Sequence, residues 1–195
     1  IWDAESGKLL LNLTGHLENI NAAHFSPNGK KIISIASDNC AIVWDSHSGK
    51  RLFTLYQQGP MFSGPGITVG RFSADETTII TGDNKGVIKT WNAETGEPLM
   101  QLMGHNTHIN DICFDAAGKQ IASMAQDSGI IIWDGVSGKK KLSIPLKTFI
   151  IGNTISFSPN NNYLLASTFT STTVYETKNF TKQYELKGSI HLNEG

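Results

Sequence analysis

Residues 104–134 read GHNTHINDICFDAAGKQIASMAQDSGIIIWD, and residues 15–45 read GHLENINAAHFSPNGKKIISIASDNCAIVWD. Both run from a Gly-His pair to a Trp-Asp pair over the same number of residues. Between these landmarks each carries three apolar runs, separated by turn-forming Gly, Asp, Asn and Ser. Short runs rich in β-branched and apolar residues, bounded in this way, form strands joined by tight turns.

The spacing extends along the whole chain. Tryptophans stand at 2, 44, 91 and 133, in steps of 42, 47 and 42 residues. One more step of 42 reaches Tyr175. Phe25, Phe72 and Phe114 each precede their Trp by 19 residues, and Phe157 precedes Tyr175 by 18. A period of about 40–45 residues is that of four-stranded propeller blades. The intervals from each Trp to the next Phe are 23, 28, 23 and 24. The extra residues of the long step therefore lie between Trp44 and Phe72. Their place is GPMFSGPG, residues 59–66, where Gly and Pro break strands and mark a loop.

In the best unit the strands are predicted at Ile109–Phe114, Gln120–Ala125, Ile130–Asp134 and Lys141–Pro145. Ile130-Ile131-Ile132 lacks alternation, as expected of a strand covered on both faces. The same reading places blades at about 19–57, 66–103, 108–146 and 152–187, with partial blades at 1–13 and 188–195. Lys8–Leu13 is a predicted fourth strand, and the segments DAESGK, DSHSGK, NAETGE and DGVSGK are third-to-fourth-strand turns with Gly at the fifth place.

With these landmarks the chain resembles the WD-repeat family of β-propellers over essentially its whole length. The resemblance implies an all-β propeller of four-stranded antiparallel blades, closing in the family with about seven or eight blades. A blade cannot cover both of its faces alone, so four blades and two partial ones are expected to be a slice of a larger ring. Two units keep the full pattern. The second keeps Thr81 and Trp91 but has Gln57-Gln58 in the Gly-His slot and Lys85 in the Asp slot, with Asp83 two residues early. The fourth, counted back from Tyr175, has Leu165 and Phe169 in the Ser and Asp slots and Leu146-Lys147 in the Gly-His slot.

The complete units each contain Ser, His and Asp, which suggests a nucleophilic triad. The sets are His16, Ser34, Asp38 and Trp44, and His105, Ser123, Asp127 and Trp133. The resemblance implies a structural role instead. In the family the indole meets the hydroxyl, the hydroxyl the imidazole, and the imidazole the carboxylate, tying the loop before the first strand to the turn between the second and third. Two copies in one short chain suit a fastener, not a catalytic centre. The second and fourth units, lacking the set, are expected to be held by packing and ladder bonds.

Composition excludes several classes. The chain has 195 residues, a formal net charge of −1 and 39% hydrophobic residues. That balance gives no reason to expect nucleic acid or a membrane surface as a partner. No apolar run approaches the roughly 18–20 residues of a membrane helix. Cys40 and Cys113 stand apart in or beside predicted strands, which argues for a cytoplasmic or other reducing compartment. His105-x-x-His108 with Cys113 is not expected to bind metal, because His105 is otherwise engaged. Lys139–Lys141 is read as a solvated face, and the acceptor triplets at Asn12 and Asn179 as chance. There is no GxxxxGK[ST] or GxSxG motif. No cofactor, metal or small-molecule substrate is expected.

In the family, the loops before the first strand and between the second and third crowd one face, where a rigid frame leaves residues free for binding. Here that face would present Glu18, Asn19 and Asn21, Ser37 if exposed, Met61 and Phe62, and Thr107, His108 and Asn110. Met61-Phe62 reads either as an anchor for a partner or as a cap folded on the blade edge. The resulting expectation is a non-catalytic scaffold that binds other proteins. Two alternatives stand beside it: a regulatory region attached to a nucleotide-hydrolysing or kinase domain elsewhere in the chain, and an architectural subunit of a permanent assembly.

Overall fold

The structure is a computed structural model that describes residues 1–57, 66–127, 129–146 and 154–187. Its sixteen strands form four separate four-stranded sheets, and the described residues include no helix. The first sheet is β1 (Ile20–Phe25), β2 (Lys31–Ala36), β3 (Cys40–Asp45) and β4 (Arg51–Tyr56). The second is β5 (Ile67–Phe72), β6 (Thr78–Asp83), β7 (Ile88–Asn92) and β8 (Pro98–Leu102). The third is β9 (Ile109–Phe114), β10 (Gln120–Ala125), β11 (Gly129–Asp134) and β12 (Lys140–Pro145). The fourth is β13 (Thr154–Phe157), β14 (Tyr163–Ser167), β15 (Ser171–Glu176) and β16 (Thr181–Lys187). In every sheet the strands pair antiparallel in sequence order. The Met61-Phe62 loop and residues 188–195 lie outside the described residues.

The two middle strands of the second and third blades are deeply buried because neighbouring blades cover both of their faces, whereas β14 and β15 of the fourth are only partly buried. Alternate side chains go to opposite seams. In the third blade Ile121, Ala125, Ile131 and Trp133 pack with Val69, Ile80, Ile88 and Leu102 of the second. Ala122, Met124, Ile130 and Ile132 pack the other way, onto Ile155, Leu164, Ala166 and Tyr175 of the fourth. The unbroken isoleucine run of β11 thus serves two cores at once. Between the first and second blades Ile33, Ile35, Ala41 and Val43 meet Ile67, Ile79 and Trp91.

The hairpin turns between third and fourth strands of the first and third blades follow one recipe. Asp45 Oδ1 accepts from the Ser48 amide at 2.7 Å and hydroxyl at 2.6 Å, and Asp134 Oδ1 does the same with Ser137 at 2.8 and 2.9 Å. Gly49 and Gly138 close these turns at φ 69°, a region costly for a side chain.

Lys8–Leu13 differs from expectation. It forms one isolated bridge, Trp2 with Leu9, instead of a strand. Around that bridge the Asp3 amide donates to the Lys8 carbonyl and the Leu10 amide to the Ile1 carbonyl, each at 2.9 Å. Successive sheets stack side by side and stop short of a closed ring. Trp2, Leu10, Leu17, Ile20 and Phe25 are exposed beside the first blade, as are Phe169, Tyr184 and Leu186 on the fourth.

Candidate functional site

The polar quartets come together at the seams. Ser34 on β2 and Trp44 on β3 point to the same face, and Trp44 Nε1–H donates to Ser34 Oγ at 2.7 Å. His16 reaches in from the loop before β1, placing Nε2 2.7 Å from Ser34 Oγ and Nδ1 2.9 Å from Asp38 Oδ2. The third blade repeats this. Trp133 Nε1–H donates to Ser123 Oγ at 2.8 Å, His105 Nε2 lies 2.8 Å from that oxygen, and His105 Nδ1 lies 2.9 Å from Asp127 Oδ2. The glycine of each Gly-His pair has a packing reason. A Cβ on Gly104 would come within 2.7 Å of the Trp133 ring, and one on Gly15 within 3.0 Å of Trp44.

Burial holds His105 below the usual imidazole range, against the pull of Asp127. The neutral ring then donates from Nδ1 to Asp127 and accepts at Nε2 from the Ser123 hydroxyl, which itself accepts from the indole. Each polar group in the chain is satisfied. The hydroxyl lies inside the seam at the centre of the blade, with Ser123 fully buried and Ser34 nearly so. The set thus has the composition of a nucleophilic triad, with its hydroxyl already accepting from the indole inside the seam.

The two copies differ at one atom. In the first blade Cys40 Sγ donates to Asp38 Oδ1 at 3.1 Å, and the Leu17 amide donates to Oδ2 at 3.0 Å. Burial raises the Asp38 carboxyl, but the bonds from Leu17, Cys40 and His16 outweigh it and the net shift is downward. Burial and the neighbouring carboxylate push the Cys40 thiol up to about 12. In the third blade Gly129 occupies the equivalent place, and the Asp127 side chain is 23% exposed, against 0% for Asp38.

The second blade corrects the expectation that packing and ladder bonds alone hold it. Trp91 Nε1–H donates to Thr81 Oγ1 at 2.8 Å, and Thr81 donates to Gln57 Oε1 at 3.0 Å. The Gln57 amide then donates to the Val87 carbonyl at 2.9 Å. One glutamine, carrying both donor and acceptor, spans the ground that His and Asp cover elsewhere. Lys89, its ammonium 5.4 Å from the Trp91 ring, also donates to the Gln57 carbonyl. Asp83 is occupied with its own turn, accepting from the Lys85 and Val87 amides at 2.8 Å. In the fourth blade Tyr175 is buried in the core, while Phe169, in the Asp slot, is 73% exposed.

A second polar chain, with no counterpart among the repeat positions, crosses the inner strands. Arg71 on β5 donates to His24 on β1 and, at 3.2 Å, to Asp111 on β9. Asp111 accepts in turn from the Ile155 amide of β13 at 3.0 Å. All four blades are linked by it. Its one signal in the sequence is charge within otherwise apolar inner strands.

The rim residues separate into two groups. Glu18, Asn19, Asn21 and Ser37 are exposed, with Ser37 Oγ 3.3 Å from Asn21 Oδ1. Thr107, His108 and Asn110 are half-buried. Burial holds the His108 imidazole low, against the pull of Asp83.

A family model described as WD domain, G-beta repeat, matches residues 7–45 and 96–134, which hold the two complete quartets. Autophagy-related protein 16 of Arabidopsis thaliana is 23% identical over 193 residues, covering 98% of this chain and 34% of its own length. A subunit of chromatin assembly factor 1 from Gallus gallus is 26% identical over 172 residues, covering 84% of this chain and 25% of its own. The chain thus spans about a quarter to a third of these relatives. The solved structure of U3-55K superimposes with a TM-score of 0.79 at 18% identity, over 91% of this chain and 54% of that one. Repeat spacing, blade order, seam quartets and these likenesses agree: residues 7–45 and 96–134 are WD repeats, in a chain folded as part of a WD-repeat β-propeller.

Proposed function

We propose that the chain is a non-catalytic scaffold that presents a rigid rim to protein partners in a reducing compartment. The observation that supports this most is the division of labour within the first blade. His16 and Asp38 are spent on internal bonds, whereas Glu18, Asn19 and Asn21 stand exposed beside a pinned loop. Loops held by a stiff frame lose little further freedom on binding. The Leu17 amide bond to Asp38 fixes this loop immediately before its exposed residues. Thr107, His108 and Asn110 extend the surface at the third blade, and Met61 and Phe62 are proposed as its apolar part. A combined Glu18→Lys, Asn19→Ala, Asn21→Ala variant of the full protein should lose its partners in affinity capture while keeping its melting temperature. Retention of every partner would refute the reading.

The architectural alternative has its own support, since one relative is by name a subunit of an assembly factor. Co-purification in fixed stoichiometry through high salt would favour it over exchangeable binding.

A further inference from the structure

The first-blade fastener contains a group that the third lacks, and its atoms are arranged like ligands. His16 Nδ1, an Asp38 carboxylate oxygen and Cys40 Sγ all lie within 4.8 Å of one another. Nδ1 is 2.9 Å from Oδ2, Sγ is 3.1 Å from Oδ1, and Sγ is 3.8 Å from Nδ1. Zinc bonds of about 2.0–2.3 Å in a tetrahedron place neighbouring ligand atoms roughly 3.3–3.5 Å apart. The Nδ1–Oδ2 and Sγ–Nδ1 separations are within about half an ångström of those values, and the carboxylate, which meets Nδ1 through one oxygen and Sγ through the other, would turn to present one oxygen to the ion. The ligands come from two elements, the loop before β1 and the turn entering β3, so an ion held here would tie the rim loop to the sheet.

We propose that His16, Asp38 and Cys40 form a binding site for a borderline-soft divalent cation, with Zn²⁺ the best match. The mixed nitrogen, oxygen and sulfur set suits zinc and is poor for Mg²⁺ or Ca²⁺, which take oxygen ligands. Charge supports the assignment. With neutral imidazole and thiol, the buried cluster carries the single negative charge of Asp38. With the metal, carboxylate and thiolate together balance the ion, and the buried net charge is zero. The exchange needs no redox partner. The thiol proton leaves to solvent, and the imidazole proton moves from Nδ1 to Nε2.

The outer partners are already in place. Once Nε2 carries the proton, it donates to Ser34 Oγ, 2.7 Å away. A metal-bound histidine needs such an acceptor on its other nitrogen to fix its tautomer. Ser34 can in turn direct its own proton to the Ile42 carbonyl at 3.5 Å. The third blade is a natural control, because Gly129 offers no sulfur.

The test is Co²⁺ titration of the full-length protein, followed by the thiolate-to-cobalt charge-transfer absorption. One equivalent should bind with that band, and Zn²⁺ should displace it. Cys40→Ser should remove the band and weaken Zn²⁺ binding by at least about 100-fold. Cys113→Ser should leave both unchanged. Cadmium NMR of the unmutated protein provides a readout independent of any variant, with one resonance expected in the range of a one-sulfur site. Absence of the band, its persistence in Cys40→Ser, its loss in Cys113→Ser, or a cadmium resonance without sulfur character would each overturn the proposal.

Discussion

Gln57 accepts a hydrogen bond from Thr81 at 3.0 Å, at the point where His16 and His105 meet Ser34 and Ser123 in the other blades. A glutamine thus keeps the seam fastened in a blade that has lost both His and Asp. Gln57→Ala should destabilise the protein by about 1–3 kcal/mol, since it strands the buried Thr81 hydroxyl. Native-state hydrogen exchange at Ile79 to Thr81 would check it, with faster opening expected in the second blade than in the third.

The histidines of the third blade should separate by role. His105→Ala removes the link between Ser123 and Asp127 and should cost about 1–3 kcal/mol. His108→Ala, at a half-buried rim position, should cost less than about 1 kcal/mol. Urea denaturation of the two variants distinguishes them, and equal losses would contradict the assignment.

Stability should fall as the solution is acidified. The folded state holds His105, His24 and His108 below their ordinary value of 6.5, chiefly by burial. A depressed imidazole favours the fold fully above the unfolded value. The contribution is lost as pH drops below about 6.5 and through the folded value, because the unfolded chain binds the proton first. Denaturation midpoints between pH 8 and pH 5 should show this decline, and His105→Gln should flatten it.

Much of this was legible in the residues, for a physical reason. Trp, Ser, His and Asp recur at fixed spacing because each must meet the others across a hairpin of constant length. Strand limits were legible where Gly and Asp turns punctuate apolar runs, as at β9 and β10. The Gln57 link was not. Counting slots from Trp44 points to Gln58 for the histidine place, and the longer glutamine side chain reaches Thr81 from one residue earlier. Nor was the Lys8–Leu13 segment, where strand-like residues give a single bridge, Trp2 with Leu9, because β propensity reflects cross-strand context more than an intrinsic preference.

The Arg71 chain was illegible for a different reason, since it joins residues from four separate blades. Arg71→Met should loosen the inner ring. Asp111 is largely buried and the Arg71 side chain about a third exposed, so the loss should be about 1–2 kcal/mol, below the full cost of breaking a buried pair. A thermal melt of the variant checks it, and an unchanged midpoint would mean that strand packing alone sets blade order.

The claim that the quartets are internal rivets is tested most directly by a double-mutant cycle of His105→Ala with Trp133→Phe, read by equilibrium unfolding. Both residues bond to the same Ser123 oxygen. Their losses should couple by about 1 kcal/mol or more. Losses that simply add, to within about 0.3–0.5 kcal/mol, would show that the two side chains act independently and that no such chain spans the seam.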